Sequence, residues 1–516
     1  MRKAFIAFKL LGIASFLGSI AFVAIASYMI AHARILMVDM DVDLNAFGAI
    51  CAGIFGIAGI AAIIGVLFLK AEKVKKKAIP FAIVCIIFFV IAPIAGITMM
   101  ESLYNQGESD LAKIETLYSN QSEWEARAST IRQGILIGSE LVPLPTRTPL
   151  NATIHSKRVY SNYSVENVFF ESLPGFFVSG NLFRSTDPGG PKPVILIPHG
   201  HFPGGRFAEH NQQLGATLAR MGAIVITYDM VGWGESTQVD HGEHYVLAFQ
   251  LWNSMRVLDF LLSLPDADPS RVAITGASGG GTQTLLLAAV DARVNISAPV
   301  VMVSSWFYGS CTCEVDMPLR KGAGYETNNA EIAALPAPNP LLLVSDGRDW
   351  TRDTPTLEYP FIQRIYQFYG MQDRVENAHF LSEGHDYGPS KRNATYHFFA
   401  KCLNLSLGNV TYPNGTVNEA ANIIEDESAM HAFTSEHPRP TWALHGEGEV
   451  LHVMRELQGK ADVDESIPGY PIEWLCGMIA VISIPLVGKH CLDLYEQNRR
   501  VKKGIDENRR GNLKFK

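Results

Sequence analysis

Charge is scarce in this sequence of 516 residues, and no excess of basic charge compensates for the scarcity. Asp, Glu, Lys and Arg make up 18% of the residues, against about 25% in an average soluble domain. Hydrophobic residues make up 47%, which excludes a wholly disordered chain, since disorder requires low hydrophobicity and high charge. The net charge of −8 argues against nucleic-acid binding through a basic surface. The seven cysteines are too few for a disulfide-stapled scaffold.

The lack of charge is concentrated in long uncharged runs, which predict transmembrane helices. About 20 apolar residues cross the core of a bilayer, and three runs reach that length. A fourth does so only if Glu473 lies at the membrane interface beside Tyr470 and Trp474, and its alternative interpretation is a buried core helix. The predicted spans are residues 10–30, 46–69, 78–100 and 469–488. They make the lipid bilayer a predicted partner.

Charges near these spans predict their orientation, because Lys and Arg accumulate on the cytoplasmic side. Basic residues precede the first span, fill the Lys70–Lys77 segment and recur in the tail 489–516. We therefore expect both termini in the cytoplasm and the long segment between the third and fourth spans outside it, extracellular, luminal or periplasmic. A signal peptide cleaved after Ala33 is the alternative interpretation of the first span. Eight glycosylation sequons fall in the outside segment, at Asn120, Asn151, Asn162, Asn295, Asn393, Asn404, Asn409 and Asn414.

Composition and pattern divide the outside segment further. Residues 101–150 are predicted to form a helical extension, which a group of prolines ends. Residues 407–468 are polar with a weak pattern, so we expect a linker with short helices there. The predicted organisation is a membrane region over 1–100, the extension over 101–150, a catalytic domain over 151–406, the linker over 407–468, a fourth span over 469–488 and a basic cytoplasmic tail over 489–516.

Residues 151–406 alternate apolar runs with helical patterns, which predicts a mostly parallel sheet with helices on both faces. A hairpin is predicted first, from Val165–Glu171 and Gly175–Leu182. The strands predicted after it are Val194–Ile197, Ala223–Tyr228, Val272–Thr275, Ser297–Val303 and Leu341–Val344. The helices predicted between them are Gln212–Met221, Tyr245–Leu264 and Thr282–Val290.

The sharpest local motif is Gly276-x-Ser278-x-Gly280, which stands between a predicted strand and a predicted helix. This context is the one that a nucleophile elbow requires, because small flanking residues let the chain turn tightly around an exposed serine. By itself the motif also fits an ordinary glycine-rich turn.

Three further groups follow predicted strands in the order that this elbow requires. His199-Gly-His201 comes directly after the Val194–Ile197 strand, where the backbone N–H of His201 would join that of Gly279 as an oxyanion hole. Asp349 follows the Leu341–Val344 strand, and His385 lies in a Glu-Gly-His-Asp-Tyr segment. The chain order is therefore nucleophile, acid and histidine.

With these motifs, residues 125–405 resemble the α/β-hydrolase superfamily, and most closely its acetyl-xylan-esterase-like and dienelactone-hydrolase-like members. The resemblance also rests on the Phe170–Leu182 segment and on Gly232-x-Gly234-x-Ser236. It implies an α/β-hydrolase fold with Ser278 as nucleophile, His385 as general base and Asp349 as orienting acid. It also implies backbone oxyanion donors at Gly279 and His201, and chemistry that needs no cofactor.

Several of these assignments have a competitor in the sequence. Asp346 competes with Asp349 as the acid, and His379 competes with His385 as the base. Candidate pocket residues are His199, Trp306 and Tyr308, although a plain core role fits both aromatic residues equally well.

Metal binding is not expected from the sequence. Cys311-Thr-Cys313 resembles a ligand pair but has no second Cys/His pair at ligand spacing. His199-x-His201 also resembles one, with His241 and His244 nearby in the sequence, but we interpret these histidines as loop residues that shape the pocket. The outside segment holds three cysteines, Cys311, Cys313 and Cys402, so one disulfide with one free thiol is an open possibility.

The predicted function is that of a membrane-anchored serine esterase, acting outside the cytoplasm through an acyl-enzyme. Its substrate would be a small-molecule or carbohydrate ester, and a lipase or thioesterase acting on membrane lipids is the alternative within enzymes. The alternative of another class is a non-catalytic receptor or scaffold, because a fold alone does not prove activity.

Overall fold

A nine-stranded sheet organises the part of the chain that the structure, a computed structural model, describes: residues 103–322 and 324–460. Its strands are β1 (Thr153–Val159), β2 (Tyr163–Leu173), β3 (Phe176–Ser185), β4 (Lys192–Pro198), β5 (Ile224–Tyr228), β6 (Ala267–Ala277), β7 (Ile296–Val300), β10 (Leu341–Asp346) and β11 (Val375–Phe380). A separate two-stranded ribbon pairs β8 (Lys321–Gly322) with β9 (Tyr325–Glu326).

The strand order is β1-β2-β3-β5-β4-β6-β7-β10-β11. The first three strands form an antiparallel meander, and β3 pairs antiparallel with β5. From β5 to β11 all neighbours are parallel. All parallel strands therefore end at one edge of the sheet, where open α/β sheets place their ligand sites.

Helices precede the sheet, connect its strands and follow it. In chain order they are α1 (residues 103–115), α2 (Gln121–Gly138), α3 (Glu209–Arg220), α4 (Val246–Ser263), α5 (Gly279–Val290), α6 (Thr312–Val315), α7 (Asn329–Ala334), α8 (Glu358–Gln367), α9 (Pro389–Leu403), α10 (Glu427–Met430) and α11 (Gly446–Leu457).

Both faces of the parallel strands are buried, which explains why their sequences are continuous apolar runs. Along β4, Val194 and Leu196 belong to one apolar core and Ile195 and Ile197 to the other, as the two-residue period of a strand requires. Helices α4, α5 and α8 cover the first core, and α3 and α9 cover the second. The predicted hairpin, parallel strands and intervening helices are thus confirmed, with bounds that shift by a few residues.

The two N-terminal helices pack into the main core. Trp124, Ile131 and Ile135 of α2 are fully buried there, and Arg127 pairs with Glu331 of α7 at 2.8 Å. The extension predicted over 101–150 therefore supplies part of the hydrophobic core.

Residues 407–460 also pack on the sheet. Met430 is fully buried, and Asn167 of β2 donates hydrogen bonds to the backbone carbonyls of Ala429 and His431. Val450 and Met454 of α11 join the main core. The polar composition of this segment hid these contacts, because its few apolar residues are widely spaced.

The predicted fold class is wrong in its membrane component. Within residues 103–322 and 324–460, no helix combines the length and the hydropathy needed to cross a bilayer. The longest helices there, α2 and α4, have 18 residues each, carry charged side chains and bury apolar residues in the main core. The segments predicted to span, 10–30, 46–69, 78–100 and 469–488, lie outside the described residues.

Candidate active site

Ser278 occupies a strained turn between β6 and α5. Its backbone has φ +55° and ψ −123°, a region that side-chain-bearing residues rarely adopt. Its side chain is 3% exposed, and its N–H donates to the Val300 carbonyl at 3.1 Å. Sharp strand-to-helix turns of this kind present a nucleophilic serine at the end of a sheet.

The glycines that flank Ser278 are required by close backbone approach. A Cβ atom at Gly276 or at Gly280 would collide with the carbonyl oxygen of Pro198, at the end of β4. The turn can therefore form only where both residues lack a side chain, which explains the Gly-x-Ser-x-Gly spacing.

His385 and Asp349 meet in the loops that follow β11 and β10. Nδ1 of His385 lies 2.7 Å from Oδ2 of Asp349. The other carboxylate oxygen, Oδ1, accepts hydrogen bonds from the backbone N–H and the hydroxyl of Thr351, both at 2.6 Å. Nε2 of His385 is buried and has no hydrogen-bond partner among the described residues.

Asp346, the competing acid, has other partners. One of its oxygens accepts from the backbone N–H groups of Arg348 and Asp349, and the other lies 3.2 Å from the buried ammonium of Lys391. Burial and the neighbouring Asp349 carboxylate raise the pKa of Asp346 to about 6. Because Lys391 also binds the carboxylate of Asp386 at 2.7 Å, Asp346 helps to hold the loop that carries His385.

His379, the competing base, has a different hydrogen-bond partner. It lies within β11, and its Nδ1 is 2.9 Å from the hydroxyl of Ser345 on β10. The structure thus brings Asp349 to His385 and keeps His379 in the sheet.

Aromatic rings surround His385. Trp350 packs on its imidazole with ring centroids 4.4 Å apart, and Phe202 lies at 5.7 Å. Phe307 packs in turn on Trp350 at 4.4 Å and lines a cavity of about 490 Å³. Phe202 and Trp350 were not predicted as site residues from the sequence, although Trp350 directly follows Asp349.

The three predicted pocket residues separate into two groups. Trp306 and Tyr308 line the cavity beside Phe307. His199 is buried, with Nδ1 2.8 Å from the Gly200 carbonyl and Nε2 accepting from the Met230 N–H at 3.0 Å. Burial lowers the pKa of His199 to about 4, so this imidazole is a neutral connector between two loops.

The two predicted oxyanion donors are adjacent. Gly279 is the first residue of α5, where backbone N–H groups lack helical acceptors. A Cβ atom added at Gly279 would lie 2.7 Å from Cε1 of the His201 ring. A side chain at this position would therefore displace the His201 ring from the N-terminus of α5.

One cluster of side chains was not predicted from the sequence. Ligand-capable atoms of His201, His241, Cys311 and Cys313 all lie within 4.8 Å of one another. Both cysteines stand out in the sequence as a pair, but His201 and His241 are 40 positions apart and match no ligand spacing. The three described cysteines, Cys311, Cys313 and Cys402, form no disulfide.

The strand order, with the strained serine at the carboxyl end of a central parallel strand, defines an α/β-hydrolase. Comparison with known proteins places the chain more narrowly. It is 39% identical to a solved structure named Methylesterase BT1017, over 69% of this chain and 80% of that chain, with a TM-score of 0.63. The chain therefore belongs to the esterase family that includes this methylesterase. The prediction of an ester-hydrolysing enzyme is confirmed at the level of that family.

Two curated relatives match over shorter stretches. The polyketide transferase claH of Penicillium crustosum is 30% identical over 131 residues, which are 25% of this chain and 41% of that protein. YtaP of Bacillus subtilis strain 168, whose name places it only among hydrolases, is 25% identical over 179 residues, 30% of this chain and 58% of that protein. The chain thus spans about two fifths and three fifths of the curated relatives that it matches. No model of a known protein family matches the chain.

Proposed function

We propose that this protein is a serine esterase that hydrolyses carboxylic esters, with Ser278 as nucleophile, His385 as general base and Asp349 as orienting acid. The observation that carries the proposal is the strained elbow at Ser278, found together with a histidine whose Nδ1 is held by a carboxylate and whose Nε2 is buried without a partner among the described residues. Burying a ring nitrogen without a hydrogen-bond partner costs free energy. Such a nitrogen is expected where it is needed to take a proton from the nucleophile, which is the role that we propose for Nε2.

The proposed reaction has two steps. Oγ of Ser278 attacks the ester carbonyl, and Nε2 of His385 takes its proton and passes it to the departing alcohol. Water then attacks the acyl-enzyme, with His385 again as the base, and releases the acid. Asp349 keeps the proton on Nδ1 and stabilises the imidazolium that forms. The backbone N–H groups of Gly279 and His201 are the proposed donors to the oxyanion in both steps.

Within this chemistry we assign a methyl ester as the substrate class, so that methanol is the first product. The 39% identity to a protein named a methylesterase, over 80% of its length, supports this choice. A methyl leaving group also suits the aromatic rings of Trp350 and Phe202 packed on His385, because methanol needs little space there. The acyl part of the substrate would then occupy the larger space.

Labelling of the full chain with a fluorophosphonate probe tests the nucleophile. The wild type and Ser161→Ala, which removes an exposed serine far from the elbow, should label and hydrolyse p-nitrophenyl acetate. Ser278→Ala should not label, and its kcat should fall at least about 10⁴-fold. Equal labelling of folded Ser278→Ala would overturn the assignment.

A second measurement separates the substrate classes. Methanol and acetate release are followed on paired substrates, a methyl uronate and its O-acetylated free acid. Methanol release that Ser278→Ala abolishes is the expected result. Acetate release alone would refute the methyl-ester assignment and leave the serine-esterase proposal intact.

A further inference from the structure

Four side chains converge beside the N-terminus of α5, around the His201 ring. Nε2 of His201 lies 2.9 Å from Nε2 of His241 and 3.2 Å from Sγ of Cys313. Sγ of Cys311 completes the group, whose four atoms all lie within 4.8 Å of one another. Cys313 is 1% exposed, and the other three side chains are partly buried.

The orientation of His241 fixes which of its nitrogens faces the cluster. Nδ1 lies 2.6 Å from the carbonyl oxygen of Val231, and because a carbonyl only accepts, Nδ1 carries the proton. Nε2, the other ring nitrogen, is therefore the atom that faces His201 and the two thiols. Histidines that ligate metals are held in this way, with one N–H donated to a backbone carbonyl.

Hydrogen bonds to residues outside the cluster also hold the turn that carries Cys311 and Cys313. The carboxylate of Glu314 accepts from the backbone N–H of Cys311 at 3.3 Å and from the hydroxyl of Thr282 on α5 at 3.2 Å. The hydroxyl of Thr312 donates to the backbone carbonyl of His241 at 3.0 Å. The two cysteines and His241 are thus placed by contacts outside the cluster.

We infer that His201, His241, Cys311 and Cys313 bind one zinc ion. A tetrahedral zinc ion with bonds of about 2.0 Å to nitrogen and 2.3 Å to sulfur keeps its ligand atoms roughly 3.3–3.8 Å apart. The distances from His201 to His241 and to Cys313, 2.9 and 3.2 Å, are a few tenths of an ångström shorter, and no pair of the four atoms exceeds 4.8 Å. Two imidazoles and two thiols suit zinc, whereas magnesium and calcium require oxygen ligands.

Zinc binds cysteine as the thiolate and histidine as the neutral imidazole, so metal binding at these four side chains must release the protons of both thiols.

The ion has a structural role at this position. Four protein ligands fill a tetrahedral site and leave no coordination position for a substrate. Three segments, after β4, after β5 and at the start of α6, become joined at one point. The ion thereby fixes the His201 loop against Gly279 and the N-terminus of α5.

Metal content of the full chain, purified without a histidine tag or chelator, tests the site directly. Elemental mass spectrometry should find about one zinc per wild-type chain. Cys311→Ser, Cys313→Ser and His241→Ala should each lose most of it. Cys402→Ser and His244→Ala are matched controls, because Cys402 lies in α9 and His244 pairs with Asp316, and both should keep the metal.

Wild-type protein provides a test that survives misfolding of any variant. Removal of the metal with a chelator should lower the midpoint of thermal unfolding, and zinc but not magnesium should restore it. Cobalt loaded in its place should show thiolate-to-metal charge transfer and tetrahedral ligand-field bands.

Two outcomes would overturn the inference. One is a wild-type chain that retains no stoichiometric transition metal after zinc loading and dialysis. The other is a native mass two hydrogens short, with a Cys311–Cys313 disulfide mapped by peptide analysis. Ser278→Ala should retain the zinc, so failure of the esterase proposal is distinguishable from failure of the metal site.

Discussion

Asp349→Asn tests how the acid controls the histidine, and the structure dictates how the new amide must sit. The backbone N–H and the hydroxyl of Thr351 both donate to Oδ1 of Asp349. An asparagine keeps these two bonds only if its carbonyl oxygen takes the place of Oδ1. Its NH₂ group must then face Nδ1 of His385, which lies 2.7 Å from the oxygen it replaces.

The amide therefore reverses the tautomer of His385. Nδ1 accepts a hydrogen bond from the NH₂ group, so the ring proton moves to Nε2, the nitrogen that we propose takes the proton of Ser278. Loss of the correct tautomer at a serine triad lowers kcat about 10⁴-fold, which corresponds to roughly 5 kcal/mol of transition-state free energy. KM should change little, because Asp349 is behind His385 and does not reach the substrate.

Steady-state hydrolysis of p-nitrophenyl acetate by the full chain measures this loss, with near-UV circular dichroism as a check on folding. Asp353→Asn is the matched control, since Asp353 lies in the same loop and pairs with Arg352; its kcat should stay within about twofold of the wild type. A folded Asp349→Asn protein that keeps more than a tenth of the wild-type kcat would refute the reasoning that Thr351 fixes the orientation of the amide. Asp346 would then be the better candidate for the acid.

Two further predictions concern buried charge and are measured by equilibrium unfolding. Arg206→Met should destabilise the fold by about 3–5 kcal/mol, because it removes the countercharge of the buried Asp229 carboxylate, which lies 2.9 Å from the guanidinium. The control Arg352→Met breaks an exposed ion pair with Asp353 and should cost less than about 1 kcal/mol. Equal losses of stability in the two variants would contradict this reasoning. Burial raises the pKa of Glu358 to about 7 from a usual value of 4.5, so the native state holds a proton that the unfolded state releases, and stability falls as pH rises from 4.5 to 7. Glu358→Gln can still accept the hydrogen bonds of Ser305 and should remove this decline in stability, which is worth roughly 3 kcal/mol. If the variant showed the same dependence of unfolding free energy on pH as the wild type, Glu358 would be ionised in the native state.

The parallel sheet could be predicted because its strands are buried on both faces and read as continuous apolar runs. The start of α5 was harder to place. The helical pattern itself begins only at Thr282, because three consecutive glycines have low helix propensity. The nucleophile-elbow motif, which places the start of the helix within 279–282, agrees with the observed start at Gly279.

Elements with little burial or little pattern escaped prediction. Strand β1 alternates between exposed and partly buried residues, and its place at the sheet edge depends on pairing with β2 rather than on its own hydrophobicity. The ribbon of β8 and β9 has only two residues in each strand. Such elements are determined by tertiary contacts, which a single sequence does not display.

The residues of the candidate site also differ in how far they could be predicted from the sequence. Ser278 could be found because its turn imposes glycines at fixed positions. The choice between Asp346 and Asp349 depends on a loop conformation, since the two residues are three positions apart and only contacts with Thr351 and Lys391 separate their roles. The convergence of His241 with Cys313 depends on the whole sheet, because the two residues are 72 positions apart in the chain.

Several local rules of protein structure are broken near the edge of the sheet where the parallel strands end. Ser278 has a left-handed backbone, Nε2 of His385 is buried without a partner among the described residues, and Arg206 and Asp229 are charged and buried. Sites that violate local preferences persist only when the surrounding structure over-determines them. Interactions between loops hold these residues in place. They are the ion pairs of Arg206 with Asp229 and of Lys391 with Asp346, and the inferred zinc site. The strain of the catalytic turn and the anchoring of its loops are therefore two parts of one requirement, which predicts that loss of any anchor lowers activity before it unfolds the sheet.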